Sequence, residues 1–235
     1  MSRVDRALQE PAGDGPQVKV AAIFDLDRTI TTKDTFIPFL LMALRGRPYR
    51  VFHAVHLPFA FFVFRRGWRD NGWLKQVFLR AIAGGATRRQ IRTWSDRLLS
   101  KLMDNGINSQ ALEQLDYHRR SGHRTILISA SYDFYVRPLA DAMGFDDVIC
   151  TEAAWTSDSR LSGTSSSGNC YGPVKLRRLQ ERLPVDRKFW RVVAYADHCS
   201  DLPLLQWADQ AVVVNPGPAA RQMARSRNFE VRHWR

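Results

Sequence analysis

Phe24-Asp25-Leu26-Asp27-Arg28-Thr29-Ile30-Thr31 is the stretch whose reading decides the fold. The residues leading into it, Val18 to Phe24, are apolar or β-branched apart from Lys19, which reads as a buried strand. Asp25 and Asp27 follow at i and i+2, so in extended chain both carboxylates point to one side. Thr29 adds a hydroxyl two residues further on. Acidic residues that end a strand of an open α/β sheet stand at its carboxyl edge, where such folds bind ligands. Taken alone, the stretch also fits a strand followed by an Asp-rich turn.

Downstream, strand and helix patterns alternate. Asn108 is expected to cap a helix with Ala111, Leu112 and Leu115 on its apolar face and Ser121-Gly122 as its stop. Arg124 to Ser129 reads as a strand, Asp133 to Met143 as a helix ended by Gly144, and Asp147 to Cys150 as a short strand. The Ser- and Gly-rich segment from Thr156 to Tyr171 reads as a hairpin or loop. Then come a helix from Pro173 to Leu183, with proline in its first turn, a strand from Phe189 to Ala196 and a short helix from Leu202 to Trp207. Ala211 to Val214 is expected to be the last strand, stopped by Asn215-Pro216-Gly217-Pro218. The pattern predicts an α/β fold, a doubly wound parallel sheet with a helical cap inserted after the first strand. The expected division is a flexible tail over 1–17, a core of 18–32 and 108–235, and a cap over 33–107.

The insertion differs in character from the core. Thr35 to Leu44 and Val51 to Phe64 carry no formal charge, and both are shorter than a membrane-spanning helix requires. Pro58 is expected to kink any helix through the second run. Arginines bracket that run, and Thr87-Arg-Arg-Gln90 resembles a capping box opening a helix toward Lys101. From Arg45 to Lys101 there are 13 Lys or Arg against two acids, Asp70 and Asp96, which accounts for nearly the whole net charge of +12. Such a balance implies an anionic partner. Arginines interleaved with phenylalanines and with Trp68, Trp73 and Trp94 suit an anionic membrane surface, to which each basic residue contributes about 1 kcal/mol. A helical unit with a solvated basic face is the plainer alternative. Nucleic-acid binding is disfavoured, because no reader motif is present. His53 and His56 have no carboxylate beside them and read as packing or surface residues.

Three cysteines, Cys150, Cys170 and Cys199, fit neither a disulfide framework nor a zinc site, so a reducing cytosolic compartment is expected. Residues 1–17 lack the apolar stretch of a secretory signal.

Four elements fall at expected strand ends or helix starts: Asp25 with Asp27, Ser129, Lys175, and Asp197 with Asp201. Four carboxylates, a hydroxyl and an amine suit phosphoryl transfer through an aspartyl intermediate. A hard cation such as Mg²⁺ takes oxygen ligands, one carboxylate can be the nucleophile and another the general acid and base. A lysine and a hydroxyl can hold phosphoryl oxygens. Residue by residue, Ser129 could instead cap a helix, Asp201 could be an N-cap, and Lys175 could be a surface lysine.

The order of these elements resembles the haloacid dehalogenase superfamily, in the branch containing phosphoserine phosphatase. Asp25-Leu26-Asp27-Arg28-Thr29 is similar to its first motif, Ile128-Ser129-Ala130-Ser131 to the second, Lys175 after Gly172 to the third and Asp197-His198-Cys199-Ser200-Asp201 to the fourth. The resemblance implies Asp25 as nucleophile, Asp27 as general acid and base, and Ser129 and Lys175 as phosphate ligands. It implies Mg²⁺ held by Asp25, Asp197 and the backbone carbonyl of Asp27, with Asp201 binding directly or through water. Arg28 stands where many members have glycine and His198 where serine is common; with Thr29 they are candidates for substrate contact.

The basic, Phe-rich insertion is similar in character to the phosphatidylglycerophosphatase C type, which implies a phosphorylated membrane lipid as substrate and a cytoplasmic enzyme peripheral to the inner face of the membrane. A soluble phosphatase for a small metabolite such as phosphoserine is the alternative, and a non-catalytic binding protein on the same scaffold a remoter one.

Overall fold

The computed structural model describes residues 19–183 and 189–234. The expected tail over 1–17 lies outside them, as does Val18. The strands, in chain order, are β1 (Lys19–Asp25), β2 (Arg124–Tyr132), β3 (Asp147–Thr151) and β4 (Ala153–Trp155). They continue as β5 (Leu161–Ser165), β6 (Trp190–Ala196), β7 (Gln210–Val214) and β8 (Glu230–Arg232). Six of them form one sheet in the order β3-β2-β1-β6-β7-β8, with every neighbouring pair parallel. The chain winds outward from β1 in both directions, so β1 and β6 flank the point where the strand order reverses.

The unbroken apolar run of β1 follows from burial on both faces. Its side chains alternate between two apolar clusters: Ala22 and Phe24 belong to one, Ala21 and Ile23 to the other. Phe24 stacks on Tyr195 of β6 at 4.6 Å and 10°, a geometry that contributes about 0.5–1.5 kcal/mol beyond the buried area.

Between β1 and β2 lie five helices: α1 (Phe36–Gly46), α2 (Leu57–Arg65), α3 (Asn71–Ala83), α4 (Arg88–Asn105) and α5 (Ser109–Arg120). Residues 31 and 107, where the chain leaves the sheet and returns, form an antiparallel bridge, and the Thr32 amide donates to the Gly106 carbonyl at 2.9 Å. Phe36, Phe39, Trp94 and Leu98 from these helices join the Phe24 cluster, so one continuous apolar core spans insertion and sheet. The Thr87–Gln90 capping box forms as expected at the start of α4. The Ser- and Gly-rich region supplies the turn and second strand of a hairpin whose first strand, β4, precedes it, and Leu161 of β5 exchanges backbone hydrogen bonds with Gly85 and Ala86.

The remaining helices are α6 (Asp133–Met143), α7 (Pro173–Arg182), α8 (Leu202–Trp207) and α9 (Pro218–Ser226).

Three expectations need correction. Pro58 does not kink a long helix. The run splits into a 3₁₀ segment, Pro48–Ala54, and α2, with Pro58 in the first turn, where its missing N–H has no intrahelical acceptor to lose. Asn108 sits at the N-cap of α5, but its side chain makes no capping bond there. Its amide instead donates to the carbonyls of Thr29 at 2.8 Å and Thr31 at 3.4 Å. Ala211–Val214 is not the end of the sheet. Beyond α9, β8 pairs with β7 as an edge strand of three residues, two of them charged, a composition typical of protected edges.

Candidate active site

Sheet register gathers the expected residues at one edge. Asp25 lies opposite Ile128 on β2, so Ser129 follows beside it. Phe24 lies opposite Tyr195 on β6, so Asp197 emerges just past the neighbouring strand end. Lys175 arrives from the other side, on the first turn of α7. The chain enters that helix through Gly172 at φ 56° and ψ −129°, a conformation that favours glycine.

The Lys175 ammonium lies 2.5 Å from Asp25 Oδ1 and 2.8 Å from Asp201 Oδ1, with all three side chains buried. Asp201 begins α8 but makes no side-chain cap bond; its carboxylate turns toward the lysine instead. Lys175 is therefore no surface lysine. Burial alone would lower its pKa, but Asp201 and Asp25 outweigh that and hold it above the ordinary lysine range. Carboxylate oxygens of Asp25, Asp197 and Asp201 lie within 4.8 Å of one another. Burial pushes Asp25 up to about 8, with Lys175 opposing and Asp201 and Asp197 reinforcing the shift. Burial and then Asp201 push Asp197 up to about 7, with Lys175 and Arg28 opposing.

Three carboxylates thus face one ammonium, which leaves two negative charges uncompensated when all are ionised. Asp201 Oδ1 is buried and, despite its closeness to Lys175, has no aligned hydrogen-bond donor. An all-oxygen donor set with this charge fits a hard divalent cation such as Mg²⁺.

Asp27 is held differently. Its Oδ1 accepts from the Thr35 amide at 2.8 Å and the Thr35 hydroxyl at 2.7 Å, and its Oδ2 accepts from the Ser131 hydroxyl at 3.0 Å. Burial, followed by the neighbouring Asp34, raises its pKa, while Lys75 and Thr35 oppose. Three hydrogen bonds at the root of the insertion therefore fix the orientation of a carboxyl biased toward its protonated form.

A cleft of about 320 Å³ opens over these groups, lined by Asp25, Asp27, Lys175, Asp197 and Asp201. Arg28 and His198 also line it, as expected of substrate-contact candidates. Arg28 adopts φ 62°, which accords with glycine being common there in the resembled family. The His198 ring Nδ1 accepts from the Ser200 amide at 3.1 Å. Thr29 departs from expectation: it is fully buried and lies outside the cleft lining. Ser129 is also buried, its hydroxyl accepting from the Ser131 amide at 3.0 Å, and the cleft wall at that strand end is Ala130.

Sequence reasoning missed Asp34, Asn71, Lys75 and Tyr171, which also line the cleft. Lys75 reaches down from α3 and donates to the Ala130 carbonyl at 3.2 Å. Burial lowers its pKa against the attraction of Asp27 and Asp34. A single lysine in a mixed helix carries no mark that distinguishes it from a solvated one.

Comparison with known proteins identifies the family and the fold. The chain is 26% identical over 234 residues to a probable phosphatase of Mycobacterium tuberculosis, covering 95% of this chain and 78% of that protein. Its fold matches the crystal structure of a protein of unknown function from Bordetella pertussis Tohama I with a TM-score of 0.79 at 22% identity, over 92% of this chain and 98% of that one. It also matches a phospho-aspartyl intermediate analogue of phosphoserine phosphatase with a TM-score of 0.60 at 12% identity, over 92% and 93% of the two chains. Residues 22–206 match the haloacid dehalogenase-like hydrolase family, and the chain belongs to that family.

Proposed function

We propose that the chain is a Mg²⁺-dependent phosphomonoester phosphatase working through an aspartyl-phosphate on Asp25. The observation that carries this reading is the buried Asp25–Lys175–Asp201 array with Asp197 alongside. In the first step an Asp25 carboxylate oxygen attacks phosphorus and the ester P–O bond breaks. Asp27 gives its proton to the departing alkoxide, a role suited to a carboxyl whose pKa burial raises above the ordinary range. Asp27, now ionised, then takes a proton from water; that oxygen attacks phosphorus, and the bond to Asp25 breaks to release inorganic phosphate. Lys175 holds the phosphoryl oxygens throughout. Ser129 would join it by turning its hydroxyl proton toward the phosphoryl group while its oxygen still accepts from Ser131. Mg²⁺, held by Asp25, Asp197 and the Asp27 backbone carbonyl, with Asp201 direct or through water, would neutralise charge on the transferring group. The helices over 33–107 act as the cap that selects substrate.

For the substrate we favour a phosphorylated membrane lipid such as phosphatidylglycerophosphate. The exposed phenylalanines of the insertion, bordered by arginines, support it. The second reading is a small phosphorylated metabolite such as phosphoserine. It is favoured by Asp34 and Lys75, which place a carboxylate and an ammonium together on the cleft wall. Phosphate release from phosphatidylglycerophosphate in detergent, with phosphoserine alongside and with and without Mg²⁺, separates the readings. Turnover of the lipid alone supports the first and of phosphoserine alone the second. Metal-independent turnover, or none across a broad phosphomonoester panel, overturns both.

A further inference from the structure

Ten of the thirteen exposed large hydrophobic side chains of the described residues fall between Ile37 and Trp68, so exposed apolar surface is concentrated in that one segment of the chain. Phe52 is 77% exposed, Val55 78%, Phe59 69% and Trp68 67%. The 3₁₀ segment Pro48–Ala54 buries none of its residues. Helix α2 buries Leu57 and Ala60 against the core and turns Phe59, Phe61 and Phe62 outward. A patch of this kind on a soluble surface marks a docking site.

Its charge identifies the occupant. From residue 35 to residue 69 there are six arginines and no acid. The bracketing acids are engaged locally: Asp34 accepts from the Phe36 and Ile37 amides, and Asp70 caps α3 through the Trp73 amide. Arg65 and Arg69 are exposed and outside the ion pairs of the described residues, and Arg66 lies over the Phe62 ring at 4.7 Å. A second copy of the chain would bring the same arginine rim against itself in a two-fold contact. An anionic lipid surface satisfies both halves of the patch, with rings among the acyl chains and guanidinium groups at the phosphates. No helix among the described residues is long and apolar enough to cross a membrane, so the segment lies on the surface.

We propose that the face formed by the 3₁₀ segment and α2 docks on an anionic lipid bilayer. Asn71, two residues beyond Arg69, lines the cleft, so docking sets the cleft mouth beside the headgroups. This last consequence rests on the phosphatase reading; the docking itself does not.

The test is co-sedimentation of the full chain with phosphatidylcholine vesicles, with and without about one-third phosphatidylglycerol, at two salt concentrations. Binding is expected only to the anionic vesicles and is expected to weaken with salt. Phe52→Ser with Phe59→Ser, and separately Arg65→Glu with Arg66→Glu, should each weaken it by roughly tenfold or more. Arg89→Glu with Arg97→Glu on α4 should change it little. Hydrolysis of p-nitrophenyl phosphate with Mg²⁺ serves as the folding control and should be unchanged in all three variants. No binding to anionic vesicles at low salt overturns the proposal. So does an equal loss in the α4 variant, or a concentration-dependent dimer dispersed by the phenylalanine changes without vesicle binding. Vesicle binding without hydrolysis of any ester would leave the docking intact and remove the phosphatase reading; hydrolysis without binding would do the reverse.

Discussion

The strand edge around Asp25 and the outer face of α2 both concentrate one sign of charge, yet they manage it in opposite ways. At the edge, carboxylates are buried and held within hydrogen-bond reach of a single lysine. At the end of α2 and just beyond it, Arg65, Arg66 and Arg69 stand in solvent beside exposed aromatic rings. The first arrangement costs folding free energy, which the proposed chemistry would account for; the second costs the fold almost nothing, and the proposed docking would account for it. Asp25→Asn gives the sharpest contrast. Turnover is expected to fall by 10⁴-fold or more, on the order seen when a nucleophile is removed. Meanwhile the melting temperature of the metal-free protein at pH 8.5 should rise, because a buried carboxylate no longer has to ionise. A fall in melting temperature would show that Asp25 contributes to the fold as well as to the site.

Lys175→Met tests the other side of the same array. Its removal leaves Asp25 and Asp201 facing each other without a cation in a buried site. Breaking a buried pair in this way costs about 3–5 kcal/mol where the orphaned carboxyl stays ionised; because Asp25 is pushed up to about 8, the loss is expected to be small at pH 7.5 and to grow toward pH 9, readable by urea denaturation at the two pH values. A loss that does not grow with pH would overturn the charge argument for the site.

The shifted carboxyls make a signed prediction about pH and metal. Asp25 and Asp197 are pushed up to about 8 and about 7 in the folded chain, from an ordinary value of 3.8. Between these limits the folded state binds more protons than the unfolded one. Metal-free stability from these groups is therefore full below about pH 4 and is lost as pH rises toward 8. On the proposed function Mg²⁺ would bind their ionised forms and release protons, so its stabilising effect should grow with pH, reaching about 2.7 kcal/mol at a hundredfold excess over its dissociation constant. Thermal melts in EDTA and in Mg²⁺ from pH 5.5 to 8.5 read this directly; parallel curves would contradict it.

The legibility of the two regions also differs. The edge was readable because short-range signals agreed: an apolar run into Asp25, a glycine before the α7 lysine, and acids spaced past β6. Parallel pairing then left little freedom in where Ser129 and Asp197 could go. What escaped was whatever depended on distant packing. Lys75 became a cleft residue only because α3 folds over Ala130. Asn108 looked like a helix cap, but carbonyls of the first motif claimed its amide. Thr29 lost access to the cleft through burial that no spacing announces. Edge strand β8 has one apolar residue in three, and its pairing with β7 outweighs that weak propensity.

The smallest expected effect is the one that makes the comparison exact. Phe59 lies on a helix whose core contacts are made by Leu57 and Ala60, and it is 69% exposed. If α2 keeps its phenylalanines for the fold, Phe59→Ser should cost what a core truncation costs, about 3–5 kcal/mol for a phenylalanine. If it keeps them for a partner, the cost should lie within about 0.5 kcal/mol, as at other surface positions. We expect the second, measured by urea denaturation beside Phe39→Ala, a fully buried ring of α1 in the same insertion. Both positions are aromatic and only twenty residues apart in sequence, so composition cannot account for a difference between them. A large loss at Phe39 with none at Phe59 would show that the Phe-rich insertion combines a packed core with a face left free for something outside the chain.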